Sequence, residues 1–252
     1  MTSIKNRYVV SAPRSGLNWL RFCVEKLYGI PTPGKKILID PVDDAEIAFT
    51  RSHDPLCISK RKTGRIAWRK IEVEDTANAK TLLILRDPLE VFVRMANKRF
   101  KPFRIYLGNL HFFSQAKGER LCIYYEDLIS NPETMYAALK FLDLPTAEKF
   151  EGIDGKTLDD NWEQLNTQSR ELYDKNQVRG GGSKTKLVTD KFTHHQKSLT
   201  QNQKLKVWYF LKQELTIEEL KLLVRYQPPY LDNPLSVWQK CRLLFWRLNW
   251  LD

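Results

Sequence analysis

The sequence predicts an α/β fold: a single domain with a central parallel sheet flanked by helices. Three observations predict it. Short apolar or β-rich runs recur at Tyr8 to Ala12, Glu46 to Thr50, Thr81 to Leu85 and Leu121 to Tyr125. The stretches between them are long enough to hold the crossovers that parallel strands need. Helix-like patterns follow the strands, which is the alternation of a wound sheet. The 252 residues, 42% hydrophobic, can bury a sizeable core, and α/β chains of this length are routinely one domain.

The first strand, "YVVSA", enters Pro13-Arg14-Ser15-Gly16 and then a helix over Leu17 to Leu27. The second leads into "RSHDP". The third, "TLLIL", ends in Arg-Asp-Pro before a helix over Leu89 to Lys98. The fourth is followed by "EDLISNP" and a helix over Pro132 to Leu142, with Asn131 able to cap it and Pro132 suited to the first helical position. A further helical region ends at "RGGGSKTK", residues 179 to 186, a flexible basic loop whose backbone could approach a ligand closely. The rest of the chain, its C-terminal part, is predicted helical. No internal repeat is present.

The division expected is a main body over residues 1–233 and an amphipathic helix over 234–252. There Trp238, Cys241, Phe245 and Leu248 fall at helical spacing with Lys240, Arg242 and Arg247 between them. That pattern suits docking on the body or lying on an anionic bilayer. Docking is preferred, because Trp246 and Trp250 leave little of the helix purely polar.

Lys and Arg number 41 against 30 Asp and Glu, a formal charge of +11. Such an excess suits an anionic partner: a phosphorylated cofactor, a nucleic acid or an acidic membrane. Nucleic acid is not the expected partner, since no recognisable binding module is present. Cys23, Cys57, Cys122 and Cys241 are dispersed without a CxxC pair, so free thiols in a reducing compartment are expected. The start of the chain carries no apolar run of signal-peptide length, and no stretch is apolar enough for a membrane span. The expectation is a soluble, cytoplasmic protein.

Chemistry concentrates at the first turn. A strand feeding a tight turn and then a helix leaves several backbone N–H groups pointing outward at the positive end of the helix dipole, which is a place for phosphate. Gly16 permits close backbone approach, Ser15 adds a hydroxyl and Arg14 a fixed charge. The turn is P-loop-like, but the GxxxxGK[ST] pattern is absent and with it the signature of triphosphate and magnesium chemistry. An ordinary strand-helix turn with a surface arginine is the competing reading of the turn alone. His53 follows the second strand, at the edge where open α/β sheets bind ligands. A lone loop histidine is more often a surface or hydrogen-bonded residue than a base, but its place at the strand end argues the other way. His111 lies in an aromatic stretch and suits packing, and His194 with His195 suits solvent, because no carboxylate or thiol has ligand spacing around them.

Taken together, these segments resemble the sulfotransferase family. "PRSGLNW" is similar to its 5′-phosphosulfate loop, usually Pro-Lys/Arg-Ser-Gly-Thr-Thr-Trp, through Pro13, Arg14, Ser15, Gly16 and Trp19. "LLILRDPLEVFVR" resembles the 3′-phosphate motif, with Arg86 at the phosphate-gripping position. "LCIYYEDLISNP" resembles the Tyr-Glu-Asp-Leu segment after the fourth strand, and "VRGGG" the loop that closes over the 3′-phosphate, through Arg179 and Gly181. "FTRSHDP" resembles the Lys-Thr-His-x-Pro segment and sets His53 at the catalytic histidine. Three departures stand out. The two threonines after Ser-Gly are Leu17 and Asn18, of which only Asn18 can donate from its side chain. The serine expected eight residues after Arg86 is Arg94, which could bind the same phosphate or lie on the helix surface. The loop at 179 to 184 lacks the aspartate and tryptophan frequent in cytosolic members.

The resemblance implies 3′-phosphoadenosine 5′-phosphosulfate as cofactor, no metal, and transfer of a sulfuryl group to an acceptor hydroxyl on a glycan, lipid or small molecule. It implies His53 as general base and Arg14 as the charge beside the leaving phosphate. Ser15, Gly16, Asn18, Arg86, Arg94, Arg179 and Gly181 would bind the phosphates. Trp19 and Tyr125 would contact adenine, with core packing as the alternative for each. A P-loop nucleotide kinase and a non-catalytic binder of nucleotide or polyanion are the competing functions. The basic segment at 54–75 fits either an acidic acceptor or a solvated face.

Overall fold

The computed structural model describes residues 6–34, 47–58, 68–144, 155–179 and 195–228. β1 (Arg7–Val10), α1 (Leu17–Tyr28), β2 (Thr50–Ser52), β3 (Lys80–Leu85), α2 (Pro88–Arg94), α3 (Phe100–Gln115) and β4 (Glu119–Tyr124) follow one another. Then come α4 (Tyr125–Ser130), α5 (Pro132–Leu142), α6 (Gly155–Asp160), α7 (Trp162–Arg179), α8 (Gln201–Glu214) and α9 (Ile217–Lys221). The strands make one sheet in the order β2-β1-β3-β4, every pairing parallel. The fold is α/β, a parallel sheet between helical layers.

β3 explains why the layers sit where they do. All six of its residues are buried, as expected of a parallel strand covered on both faces. Leu83 and Leu85 join Tyr8 and Val10 in a cluster with α2, α3 and α8. Leu82 and Ile84 join Val9 in a second cluster with α1, α5, α6 and α7. The alternation of the strand thus sends successive residues to opposite layers.

Several predicted boundaries move, β1 ending at Val10 and not Ala12 among them, and three of the shifts are instructive. Expected at Glu46 to Thr50, the second strand pairs with β1 only from Tyr8↔Thr50 onward; Ala48 instead donates its N–H to Pro31 O at 3.0 Å, tying that residue to the loop after α1. Expected to reach Lys98, α2 stops at Arg94, and Asn97 and Lys98 take left-handed φ values of 49° and 58° that turn the chain into α3. Tyr125, expected to end the fourth strand, opens α4. α5 has the predicted bounds, with Asn131 Oδ1 accepting from Glu133 N at 2.8 Å.

Chain direction positions the site. From β1 the chain moves outward to β2 and then returns past β1 to β3, so the connections diverge beside β1. In open α/β sheets ligands bind beyond the carboxyl ends of the strands at such a point. Four segments emerge at that edge: the 11–16 turn from β1, His53 from β2, Arg86 from β3 and Tyr125 from β4. Cys23, Cys57 and Cys122 are free. Gly181, His194, Cys241 and residues 234–252 lie outside the described residues. Among the described residues no helix is long and apolar enough to cross a membrane.

Candidate functional site

The turn after β1 is built on two left-handed residues, Arg14 at φ 73° and Gly16 at φ 85°. Arg14 pays an outlier's conformational penalty, of the kind that concentrates at ligand-binding sites. Gly16 is required on two grounds: its φ, and the ring of Tyr125, whose Cδ2 would be 2.5 Å from any added Cβ. The backbone of the turn therefore lies directly against that ring. Gly16 is also the N-cap of α1; no side chain caps this helix and its first turn holds no acidic residue. Its leading N–H groups and the positive end of its dipole are left for an outside anion. Beside them Ser15 is 1% exposed, and its Oγ is buried with no hydrogen-bond partner. An unmet buried hydroxyl costs about 1 to 3 kcal/mol, so an oxygen-bearing ligand at the turn would relieve it.

Arg86, at the end of β3, is the second component. It is 4% exposed, its Nη1 donates to Arg14 O at 2.6 Å, and its guanidinium carbon sits 4.0 Å from the Tyr125 ring centroid. Its Nε is buried and unpartnered. Tyr106 Oη donates to Arg86 O at 2.8 Å and holds the strand end. The next residue, Asp87, caps α2 by accepting from Leu89 N at 2.8 Å, and burial raises its carboxyl to about 6. Arg94, half-buried further along α2, is held below the usual guanidinium range, first by burial and then by Arg86 and Arg14. Arg94 thus lies within electrostatic reach of Arg86 and Arg14, whose charges disfavour its own, and of Glu90, which acts the other way.

The third component is His53. Its Nδ1 is 2.7 Å from Ser11 O. A carbonyl only accepts, so Nδ1 carries the hydrogen and Nε2 presents a lone pair. Asn109, from α3, donates Nδ2 to His53 O at 2.9 Å, and Trp68 meets the imidazole edge to face at 5.5 Å. Burial lowers the His53 pKa to about 4, with Arg51 and Arg21 adding to the effect. The ring is therefore held neutral at physiological pH, with the hydrogen on Nδ1 and none on Nε2.

Arg51 and Arg21 were not singled out by the sequence. Arg51, at the centre of β2, is 8% exposed with Nε unpartnered; burial and then Arg21 lower its pKa to about 10. Arg21 pairs with Glu25 one turn along α1, their side chains 4% and 0% exposed. The signal for that pair was legible: Arg and Glu four apart inside the apolar run "LRFCVEKL".

The structure brings Arg14, Ser15, Gly16, Asn18, Arg86, Arg94, Tyr125 and His53 to the same edge of the sheet. Trp19 faces the core side: Nε1 donates to Leu128 O at 3.0 Å, and the indole stacks on Phe22 and meets Trp162 edge to face. Arg179 is the last residue of α7, and its side chain lies outside what is described. His111, expected to pack among aromatics, instead contacts Glu219 at 2.8 Å and joins α3 to α9. No group of three or more metal-ligating side chains occurs among the described residues.

No family model matches the chain, and no curated protein matches it in sequence. Among solved structures it is similar to a mouse sulfotransferase complexed with PAP, at 14% identity, 89% coverage of each chain and a TM-score of 0.47. It is similar to a sulfotransferase from Alicyclobacillus acidocaldarius at 14% identity, over 68% of this chain and 96% of that one, with a TM-score of 0.33. The third is the sulfotransferase domain from the curacin biosynthetic pathway, at 16% identity, over 89% of this chain and 99% of that one, with a TM-score of 0.37.

Proposed function

We propose that the chain is a sulfotransferase that binds 3′-phosphoadenosine 5′-phosphosulfate at the turn and transfers its sulfuryl group to an acceptor hydroxyl. One observation carries the reading: the uncapped N-terminus of α1, with the orphaned Ser15 Oγ beside it and Arg14, Arg86 and Arg94 around it. A buried, unmet hydroxyl and a concentration of positive charge of this kind fit a ligand with phosphates at two places.

When bound, the cofactor supplies the sulfuryl group and a phosphate leaving group. The protein's part is positioning and electrostatics. The α1 N-terminus, Ser15 and Arg14 would hold the 5′ end and favour negative charge on the leaving phosphate. Arg86, with Arg94 and Arg179, holds the 3′-phosphate, and Tyr125 presents its ring to Arg86 and the turn. His53 accepts the acceptor's proton at Nε2 while Nδ1 keeps its hydrogen on Ser11 O. The absence of the P-loop lysine argues against the kinase alternative. The acceptor is a glycan, lipid or small molecule with a free hydroxyl, and the working compartment is the cytoplasm.

Isothermal titration with adenosine 3′,5′-bisphosphate, ATP and DNA tests the binding half. Preference for the bisphosphate is expected, and preference for ATP overturns the reading. A screen of hydroxyl compounds with radiolabelled sulfate donor tests the transfer half.

A further inference from the structure

We infer that Arg21 is a positioning residue that turns the amide of Asn18 toward the anion at the N-terminus of α1. This rests on the reading of that turn as the seat of a 5′-phosphate.

Asn18 is exposed in the first turn of α1, the turn whose N–H groups no side chain caps. An asparagine amide has two faces, an oxygen that accepts and an NH2 that donates. Toward a phosphate the first repels and the second binds. A hydroxyl in the same place needs no orienting, because it rotates; an amide must be held one way. Arg21, one turn along the helix, supplies the hold: its Nη1 donates to Asn18 Oδ1 at 3.3 Å. Guanidinium nitrogens only donate, so the oxygen is engaged and Nδ2 is the atom left for the ligand.

Arg21 is itself fixed from three sides. Its Nη2 is 3.5 Å from Glu25 Oε1, and its Nε donates to Thr32 Oγ1 at 2.9 Å. Thr32 in turn donates both N–H and hydroxyl to Glu25 Oε1. Gly34 packs on the guanidinium so closely that a Cβ there would be 2.4 Å from Nη2. A buried ion pair contributes little net stability compared with apolar residues of the same volume. Its value here is geometric: the chain Glu25, Arg21, Asn18 runs from the α1 interior to the anion and leaves the amide one orientation.

The test compares adenosine 3′,5′-bisphosphate with adenosine 3′-phosphate, which lacks the 5′ group, by isothermal titration on the full chain. Asn18→Ala should weaken the bisphosphate about ten- to a hundredfold, the worth of a hydrogen bond to a charged group, and leave the 3′-phosphate unchanged. The charge-neutral pair Arg21→Gln with Glu25→Gln should cause a similar selective loss, and adding Asn18→Ala to it should cost nothing more. Asn18→Thr in that same background should restore binding, since a hydroxyl needs no orienting. If the paired variant does not fold, Arg21→Lys keeps a charge for Glu25 without the fork and should show the same selective loss. Additive losses, equal losses for both ligands, or no rescue by threonine would overturn the role of Arg21. A wild-type chain that binds both ligands equally would instead remove the 5′-phosphate reading on which it rests.

Discussion

The guanidinium carbon of Arg86 sits over the ring of Tyr125, 4.0 Å from its centroid, while the same ring fills the space beside Gly16. One aromatic side chain from the end of β4 thus supports both the turn after β1 and the arginine after β3. A cation over an aromatic face gains about 0.5 to 2 kcal/mol depending on desolvation, and here it also fixes where the charge points.

Gly16→Ala is expected to damage the turn more than an ordinary Gly-to-Ala change. The new methyl meets Tyr125 at 2.5 Å, and the φ of 85° costs a non-glycine residue a further ~1 kcal/mol or more. A lowered melting temperature together with loss of bisphosphate binding checks this. Tyr125→Ala combined with it should recover part of the stability and little of the binding.

Replacing Arg86 by lysine keeps the charge and removes the fork. Because Nη1 holds Arg14 O and the proposed role of the fork is at the 3′-phosphate, affinity should fall for adenosine 5′-phosphate and, by about tenfold more, for the 3′,5′-bisphosphate. Titration with the two ligands separates the two parts.

His53→Ala should leave bisphosphate affinity nearly intact and lower turnover about 10² to 10⁴-fold. From sequence the acidic limb of the rate profile would be expected near 6.5, the ordinary histidine value. The buried setting moves that expectation to about 4, so the wild-type rate should stay flat on acidification well past 6.5. Stability follows the same sign. The unfolded chain takes up the proton first, so the contribution of His53 is full above 6.5 and is lost as pH falls toward 4. The melting temperature of His53→Ala should decline less over that interval than that of the wild type.

Asp87 behaves oppositely. Its carboxyl ionises near 6 in the folded chain against 3.8 ordinarily, so it favours the fold below 3.8 and ceases to do so as pH rises through 6. Asp87→Asn retains an oxygen to cap α2 and removes the titration. Its melting temperature relative to wild type should be higher at pH 8 than at pH 4.

Much of the sheet was legible because its strands are apolar runs whose neighbours break cleanly. α5 was read to the residue because Asn131 and Pro132 mark its start chemically. β2 was misplaced because Ile47 to Phe49 look like a strand, yet Ala48 spends its N–H on Pro31 O and Ile47 is 58% exposed. At the site, glycine, serine and arginine in a turn announce themselves locally. Asn109 could not, since its bond to His53 O spans 56 residues and its neighbours in sequence are all core. Nor could the depressed His53 pKa, which arises first from burial and then from Arg51 on the strand that leads into it and Arg21 on α1.

Ser11 accepts from His53 Nδ1 through its carbonyl, and its own N–H donates to Ser52 O at 3.2 Å. Two adjacent parallel strands are thereby stitched together one step beyond their ladder, with His53 following one and the Arg14–Gly16 turn following the other. The histidine and the turn are held by the same hydrogen-bonded strand ends. On the proposed reading, the spacing between the base and the 5′ end of the cofactor is a property of the strand pairing and is set when the sheet forms.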